Sequence, residues 1–363
     1  MTTPKETLWE LDRHTRAKHE ILRRYLGAWF PILNSYHHRI VYIDGFAGPG
    51  RYKGGEDGSP IIAVNAAMNH RKALRGELVF WFIDEREDRI RHLQKELAKI
   101  TLPNHFKVEV EAGRFHEKLD PVLQSIEADG IRIAPTFAFI DPFGFSGIPF
   151  SLIERLLKQP RCEVFITFMV DAINRFLEHP KDSVVQHIVD AFGTDDAIRI
   201  AETPGKRIER LRGLYQSRLQ TVANFVRYFE MRDRQDSPQY YLFFATNHER
   251  GHYKMKEAMW RVDPDGDFRF SDATNPNQLV LFDADTTSVL ISQMQNEFIE
   301  KGLVTGRQIQ RFVEDKTAYL KKHMTAALRT EEAAGRLSVE PKKLDGKPRM
   351  ANTYPDEARI RFL

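Results

Sequence analysis

Residues 41–60 read VYIDGFAGPGRYKGGEDGSP, a stretch in which an apolar strand ends at Asp44 and gives way to a loop rich in glycine. The pair Ser59-Pro60 then starts a helix. In open parallel sheets ligands bind beyond the carboxyl ends of the strands, and glycine in the first strand-to-helix turn lets the backbone approach the ligand closely. The stretch therefore predicts a ligand site at the end of a first strand.

The composition is that of a folded intracellular chain. Its 363 residues are 42% hydrophobic and include 25 Phe, which is enough for a large core and a smaller appended domain. The N-terminus lacks the apolar core of a secretory signal, and no apolar run reaches the roughly 18 residues that span a bilayer, so we expect a cytoplasmic protein with no membrane partner. The single cysteine, Cys162, adjoins the apolar run EVFITFMV and is expected in the core; no metal site is expected.

The apolar runs predict an α/β fold. RIVYID, ELVFWFID, FKVEVEAG, PTFAFID and CEVFITFM alternate with helical stretches, which is typical of a parallel sheet covered on both faces. The later runs NFVRYFEMR and YYLFFATN are separated by too few residues for a crossover helix, so they should pair as an antiparallel hairpin. A seven-stranded sheet with an antiparallel last strand distinguishes the Rossmann-like fold of S-adenosylmethionine (SAM) methyltransferases from the ordinary dinucleotide-binding fold. We assign it to residues 1–283, with a first helix near 15–33 capped by Thr15 and a helical, substrate-side insertion at 171–224.

Residues 284–363 are predicted to form a winged helix: three helices near 286–301, 306–315 and 317–335, followed by the strands RLSVE and ARIRF around a basic turn. Residues 301–363 carry 14 Lys and Arg against 8 Asp and Glu, a net charge of +6, which leaves −3 for the rest of the chain. Such a module is expected to contact nucleic acid through phosphates. The candidate residues are Lys321, Lys322, Lys342, Lys343, Lys347 and Arg349. The alternative is a domain that mediates dimerisation or docks a protein partner.

The glycine loop favours a cofactor without phosphates. Its glycines do not match G-x-G-x-x-G, and the long run to the next helix makes a pyrophosphate on a helix N-terminus less natural. SAM fits better, with Asp44 facing its ammonium group directly or through water and Gly48 passing under its ribose. The other loop residues assigned to the cofactor are Gly45, Phe46, Ala47 and Gly50. The alternative is a tight turn with a solvated aspartate.

Three further positions are assigned to the cofactor. Asp84 or Glu85, at the end of the second strand, would hold the ribose hydroxyls, although acids at a helix start also complement its dipole. Gly113 and Arg114, after the third strand, would border the adenine ring, unless they form a solvated loop. Lys18, in HTRAKHE, would reach the cofactor carboxylate or a phosphate, or else belong to a solvated helix end.

The fourth strand ends in AFIDPFGFSGIP, which is where amino-methyltransferases carry Asp/Asn-Pro-Pro-aromatic. In that motif the acid or amide and a proline carbonyl accept hydrogen bonds from the target amine, and the aromatic ring stacks on the base. Asp141 and Pro142 match the motif, whereas Phe143 replaces the second proline and Phe143 or Phe145 would supply the ring. We therefore assign Asp141, Pro142 and Phe143 to catalysis; the alternative is a structural turn.

The chain also resembles the three-Cys-motif partner proteins (TcmP). The resembling segments are HTRAKHEIL with YLGAW (14–29), YIDGFAGPGRY with DGSP (42–60), FIDPFGFSG (139–147), INRF (173–176), the run from YYLFFAT to YKMKEAMWRVDP (240–264) and the tail with TYP and IRF (353–362). The resemblance implies a SAM-methyltransferase-like protein that works beside a separate three-Cys-motif protein.

The resemblance names a neighbour and not a reaction, so two functions remain open. One is methyl transfer to an amine in nucleic acid. The other is a non-catalytic SAM-binding or regulatory partner, which the altered motif at the fourth strand favours. A nicotinamide-dependent oxidoreductase would require G-x-G-x-x-G, which is missing.

Overall fold

A computed structural model describes residues 4–71, 73–201, 205–263, 269–271 and 286–363. The described residues up to Ser271 form one compact unit, and those from Thr286 onward form a second. The domain boundary that the sequence predicts at 283/284 lies outside the described residues.

The first unit alternates helices with strands. In chain order its elements are α1 (Arg13–Asn34), β1 (Arg39–Asp44), α2 (Ser59–Met68), β2 (Glu77–Asp84), α3 (Glu87–Leu97), β3 (Phe106–Ala112), α4 (Phe115–Ala128), β4 (Thr136–Ile140), α5 (Phe150–Lys158), β5 (Cys162–Phe168), α6 (Val170–Phe176), α7 (Asp182–Phe192), α8 (Asp196–Ala201), α9 (Arg207–Gln220), β6 (Phe225–Arg232), β7 (Pro238–Thr246), α10 (Glu249–Trp260) and β8 (Arg269–Ser271).

The strands form one sheet of order β3-β2-β1-β4-β5-β7-β6-β8. The first five strands in this order, β3-β2-β1-β4-β5, pair in parallel, and β7 lies antiparallel to both β5 and β6. The predicted α/β sheet, with its seventh strand antiparallel, is therefore confirmed, and this strand lies between β5 and β6. The strand β8, which has three residues and pairs in parallel with β6 at the edge of the sheet, was not predicted.

The helices cover both faces of the sheet because the strands are apolar on both sides. Every residue of β4 and β5 is buried. On one face Tyr42 and Phe137 pack with α1, α2 and α10, and on the other Ile43 and Ala138 pack with α4, α5 and α9. Helix α10, whose buried Met255 contributes to the first of these cores, was not predicted.

The first helix begins earlier than the sequence predicts. Thr15 was assigned as its N-cap, but α1 starts at Arg13 and Asp12 is the cap. The Asp12 Oδ1 atom accepts a hydrogen bond of 2.6 Å from the Thr15 N–H, which satisfies one of the unpaired donors of the first turn. The prediction that Thr15 caps the helix was therefore wrong.

The second unit combines three α-helices with short strands. Its described elements are α11 (Thr286–Phe298), a 3₁₀ turn (Ile299–Lys301), β9 (Leu303–Thr305), α12 (Gly306–Lys316), α13 (Lys321–Ala333), β10 (Leu337–Val339) and β11 (Arg359–Phe362). The strands form an antiparallel sheet of order β10-β11-β9, in which β9 was not predicted. The basic segment between β10 and β11 turns back on itself, since the Lys343 N–H donates to the Lys347 carbonyl at 3.0 Å.

Candidate active site

A cavity of about 450 Å³ lies where the carboxyl ends of β1 to β4 meet. It is lined by predicted residues from all four strand ends: Gly45 and Phe46 after β1, Asp84 and Glu85 at β2, Gly113 and Arg114 after β3, and Pro142 and Phe143 after β4. Parallel strands bring their carboxyl ends to one edge of the sheet, which explains why residues so far apart in sequence share one cavity. The volume lies within the roughly 300–1,000 Å³ of small-molecule sites.

The glycine loop is bonded to the neighbouring strands through its backbone. The Gly45 N–H donates to the Phe139 carbonyl and the Ala47 N–H to the Ile83 carbonyl, both at 2.9 Å. Gly48 then turns with a φ of +63°, in the left-handed region that favours glycine. Ala47, Gly48 and Gly50 are buried and do not line the cavity. The loop thus presents Gly45 and Phe46 to the cavity and keeps its other predicted residues behind them.

The two acids of the second strand have different environments. Asp84 is only 5% exposed, and its carboxylate accepts backbone N–H bonds from Gly48 and Arg86, both at 2.9 Å. Burial raises the pKa of Asp84 above its ordinary value, and these two hydrogen bonds oppose the increase. The Glu85 carboxylate is exposed and lies 4.0 Å from the Arg114 guanidinium. Asp84 therefore joins β2 to the glycine loop, and Glu85 is the acid that is open to a ligand.

The predicted exposure of Asp44 to the cofactor is corrected by the structure. Asp44 is fully buried and does not line the cavity. Its carboxylate accepts hydrogen bonds from the Tyr42 hydroxyl at 3.4 Å and the Phe46 N–H at 3.3 Å. Burial raises the pKa of Asp44 to about 7, and the nearby charges of Asp141 and Asp84 add to the increase. An ammonium group in the cavity would not face this carboxylate.

Lys18 also differs from its predicted role. Its side chain is 7% exposed, and its Nζ atom lies 2.5 Å from Oδ2 of Asp141. The other oxygen of Asp141 accepts a hydrogen bond of 2.6 Å from the Thr167 hydroxyl. Neither Lys18 nor Asp141 lines the cavity. Lys18 therefore positions Asp141 rather than reaching a cofactor, and both carboxylate oxygens of Asp141 already have partners.

An N-terminal segment that the sequence analysis overlooked packs over the glycine loop. We call residues 4–12 the N-terminal strap. The Trp9 ring lies edge-on to Phe143 at 5.8 Å, and the Arg89 guanidinium lies 4.7 Å above the Trp9 ring. A Cβ atom on Gly48 would come within 3.6 Å of the same ring. A lone tryptophan in a polar N-terminus was the sequence signal for this contact.

The strap is also fixed through its backbone. Arg86 and Arg89 both donate to the carbonyl of Pro4, at 2.8 and 2.9 Å, and the Thr7 hydroxyl donates to Asp88. These contacts tie the strap to the start of α3, directly after the second-strand acids. The strap thus packs against Arg89 and Phe143, two residues that line the cavity.

The helical insertion contributes to the cavity as well. Helix α7 brings His187 and Asp190 to its wall, and α4 brings His116 and Phe115. The sequence analysis placed the insertion on the substrate side without naming these residues. They widen the cavity beyond the residues assigned to the cofactor.

The basic residues of the second unit separate into two groups. Lys321, Lys322, Lys342 and Lys347 are exposed, and Lys343 is partly exposed, with Lys343 and Lys347 lying 3.6 and 3.4 Å from the Asp345 carboxylate. The side chain of Arg349, in contrast, is 10% exposed and lies 2.6 Å from Glu332. Arg349 therefore stabilises the fold of this unit, and its assignment as a nucleic-acid contact is withdrawn.

No family model matches the chain, and no curated protein matches it. Among solved structures it is similar to Trm1 from Pyrococcus horikoshii in complex with S-adenosyl-L-methionine, at 13% identity and a TM-score of 0.34, covering 99% of this chain and 93% of that one. It is also similar to human methyltransferase-like protein 13 in complex with SAH, at 10% identity, a TM-score of 0.36 and coverage of 68% and 91%. A putative O-methyltransferase from Klebsiella pneumoniae gives 12% identity, a TM-score of 0.34 and coverage of 68% and 93%. Because the sequence identities and TM-scores are low, the fold is described from the observed strand order. Within the described ranges, no helix has the length and apolar character needed to cross a membrane.

Proposed function

We propose that the chain is a SAM-dependent methyltransferase that acts on an amino group in nucleic acid. The observation that carries the proposal is the cavity at the carboxyl ends of β1 to β4. It is lined by Gly45, which has no side chain, by the exposed carboxylate of Glu85 and by Pro142 and Phe143. These groups suit SAM because its adenosine and methionine parts need a close backbone approach and a carboxylate acceptor rather than a phosphate site.

In this proposal some of the lining residues bind the cofactor and others bind the substrate. Glu85 accepts hydrogen bonds from the ribose hydroxyls, and Gly113 and Arg114 border the adenine. At the end of β4 the Pro142 carbonyl orients the target amine, and the Phe143 ring packs against its base. The cofactor, when bound, supplies a methyl group on a sulfonium. The chain contributes in-line positioning, while Lys18 and Thr167 hold Asp141 beside the site.

Nucleic acid is the proposed substrate because of the second unit. We infer that α11 to α13 with β9 to β11 act as a winged helix, since exposed Lys321 and Lys322 begin α13 and exposed Lys342 and Lys347 lie between β10 and β11. Phosphate contacts from these lysines would hold the substrate, and a paired base would have to leave its stack to reach the cavity. Reversing the charges of Lys342 and Lys347 should weaken binding at low salt and reduce the log–log salt slope by roughly 0.9 per lost phosphate contact on duplex DNA.

A three-Cys-motif protein is the proposed partner, and this rests on the sequence resemblance alone. The +6 charge of residues 301–363 suits an anionic ligand better than a partner-docking role for the same lysines. An unchanged salt slope in the charge-reversed protein would favour docking instead.

The second candidate is a non-catalytic SAM-binding partner, and one observation favours it. Asp141 does not line the cavity, and its carboxylate is already bonded to Lys18 and Thr167, which hold it away from an amine bound there. The exchange of the second proline for Phe143 points the same way. Binding and transfer must therefore be measured separately.

The test begins with SAM titration by calorimetry and continues with transfer of tritium from labelled SAM to nucleic acid. Glu85→Gln should weaken SAM binding about tenfold or more, because a hydrogen bond to a charged acceptor is worth roughly 1.5–3 kcal/mol. Glu87→Gln is the matched control, since Glu87 is exposed on α3 and pairs only with Arg91 among the described residues. Equal effects of the two changes would contradict the cofactor assignment. Binding without transfer to DNA, rRNA or tRNA would favour the second candidate.

A further inference from the structure

A second cavity, of about 520 Å³, opens at the amino end of β5, at the opposite end of this strand from its carboxyl terminus. We call it the rear cavity. It is bounded by the end of α1, the residue before β5 and the first turn of α10. These elements lie at the amino end of β5. Among the residues that the structure describes, none lines both the rear cavity and the cavity at the carboxyl ends of β1 to β4.

The floor of the rear cavity is formed by the carboxylate of Glu163, which is hydrogen-bonded to other side chains of the protein. Glu163 is 5% exposed, and its two oxygens accept hydrogen bonds of 2.7 Å from the Tyr25 and Thr246 hydroxyls. Burial raises the pKa of Glu163 above its ordinary value. The floor is therefore polar, and its acceptors are already occupied by the protein.

The mouth of the rear cavity is cationic. Arg161 and Arg250 are exposed, and within the described ranges neither guanidinium lies within ion-pair distance of a carboxylate. Lys254 also lines the mouth, although its Nζ atom is 2.6 Å from Glu257. Each guanidinium presents a planar fork of N–H donors that suits phosphate or carboxylate, and both line the same cavity.

Arg161 is held at this mouth in an unfavourable backbone conformation. Its φ is +64°, where a residue other than glycine is disfavoured by roughly 1–2 kcal/mol. The Arg161 carbonyl accepts the Thr136 N–H at 3.2 Å, so the local backbone is fixed by the sheet. Glycine would adopt this conformation without strain, so an arginine at this position is a candidate for a functional role.

An aromatic surface adjoins the cations. The Tyr36 side chain follows α1 and is 74% exposed, while Trp29 forms part of the inner wall. An exposed tyrosine beside two arginines is the combination that stacks a nucleobase and holds its phosphate. The volume is ample for one nucleotide, within the roughly 300–1,000 Å³ of ligand sites.

We propose that the rear cavity binds a nucleoside monophosphate, with its phosphate on Arg161 and Arg250 and its base against Tyr36. The ligand would occupy this site independently of the cofactor cavity, and the proposal does not depend on methyl transfer.

The test is calorimetric titration of the full chain with AMP, GMP, CMP and UMP, in the presence of excess S-adenosylhomocysteine to occupy the cavity at the carboxyl ends of β1 to β4. Inorganic phosphate and adenosine serve as partial ligands. Arg161→Gly should weaken nucleotide binding at least tenfold while the protein remains as stable to urea as the parent, because glycine relieves the strained φ. Arg199→Gln, on exposed α8, is the matched control and should leave binding unchanged.

Tyr36→Ala separates the two halves of the ligand. It should weaken nucleotide binding and leave inorganic phosphate binding unchanged. Absence of millimolar binding of all four nucleotides overturns the proposal, and so does equal affinity of the parent and Arg161→Gly. Equal affinity for phosphate and nucleotides would overturn the role of the ring. If S-adenosylhomocysteine fails to bind but nucleotides bind as expected, only the proposed methyltransferase function is refuted.

Discussion

Replacing Asp44 by asparagine should stabilise the protein at alkaline pH and have little effect near pH 4. Asp44 is fully buried at the end of β1, and burial raises its pKa from 3.8 to about 7. The folded protein therefore holds this proton more tightly than the unfolded chain does. Wild-type stability should decrease as the pH rises from about 4 to about 7, and the full penalty should be present above that window.

The size of the effect follows from the shift. A difference of about three pKa units corresponds to roughly 4 kcal/mol, at 1.36 kcal/mol per unit. Asparagine has no charge to bury, and its side-chain oxygen still accepts the Phe46 N–H. The variant should therefore gain up to about 4 kcal/mol over the wild type between pH 4 and pH 8.

The assay is urea denaturation of both proteins at pH 4, 5, 6, 7 and 8, with the free energy of unfolding extrapolated to water. Asp195→Asn is the control, since Asp195 has a side chain that is 69% exposed and should show no such trend. A wild-type-to-variant difference that stays constant from pH 4 to pH 8 would refute the reasoning that burial raises the pKa of Asp44.

Three further outcomes are expected. Gly45→Ala should destabilise the protein by about 1–3 kcal/mol in urea, because its Cβ would lie 2.5 Å from a ring carbon of Phe115. Gly27→Ala is the control: its Cβ would meet open space on α1, so it should stabilise the protein by about 0.5–1 kcal/mol. Similar effects at both sites would contradict this reasoning. Trp9→Ala should increase the association rate of SAM in stopped-flow measurements by loosening the strap, and an unchanged rate would show that the strap is no barrier. Lys18→Met should destabilise the protein by about 1–3 kcal/mol in thermal or urea unfolding, since Asp141, whose side chain is 20% exposed, keeps the Thr167 hydrogen bond but loses its cation. A neutral effect would mean that the ion pair is weak.

The sheet could be predicted because its pattern is local. Each parallel strand is an apolar run followed by a helical stretch, and the short link between β6 and β7 leaves only antiparallel pairing. The three-residue strands β8 and β9 lack such a run, and they exist because a neighbouring strand offers free edge groups.

The candidate site could be predicted only at the level of strand ends. Position after a strand correctly brought Glu85 and Pro142 to one cavity. It did not reveal the partner of Lys18, because Asp141 lies more than a hundred positions away along the chain. It also did not reveal the burial of Asp44, which depends on the assembled sheet. Arg349 was misassigned for the same reason, since a basic turn in the sequence does not disclose the glutamate on α13 that pairs with it.

The lone cysteine has a practical consequence for spectroscopy. Cys162 is 1% exposed, and burial raises the pKa of its thiol to about 12, so almost no thiolate exists near neutral pH. Maleimide and methanethiosulfonate reagents should leave it unmodified in the native protein. A cysteine introduced at exposed Leu344 or Met350 would then be the single reactive thiol, and a fluorophore or spin label attached there would report on the basic segment against a silent background.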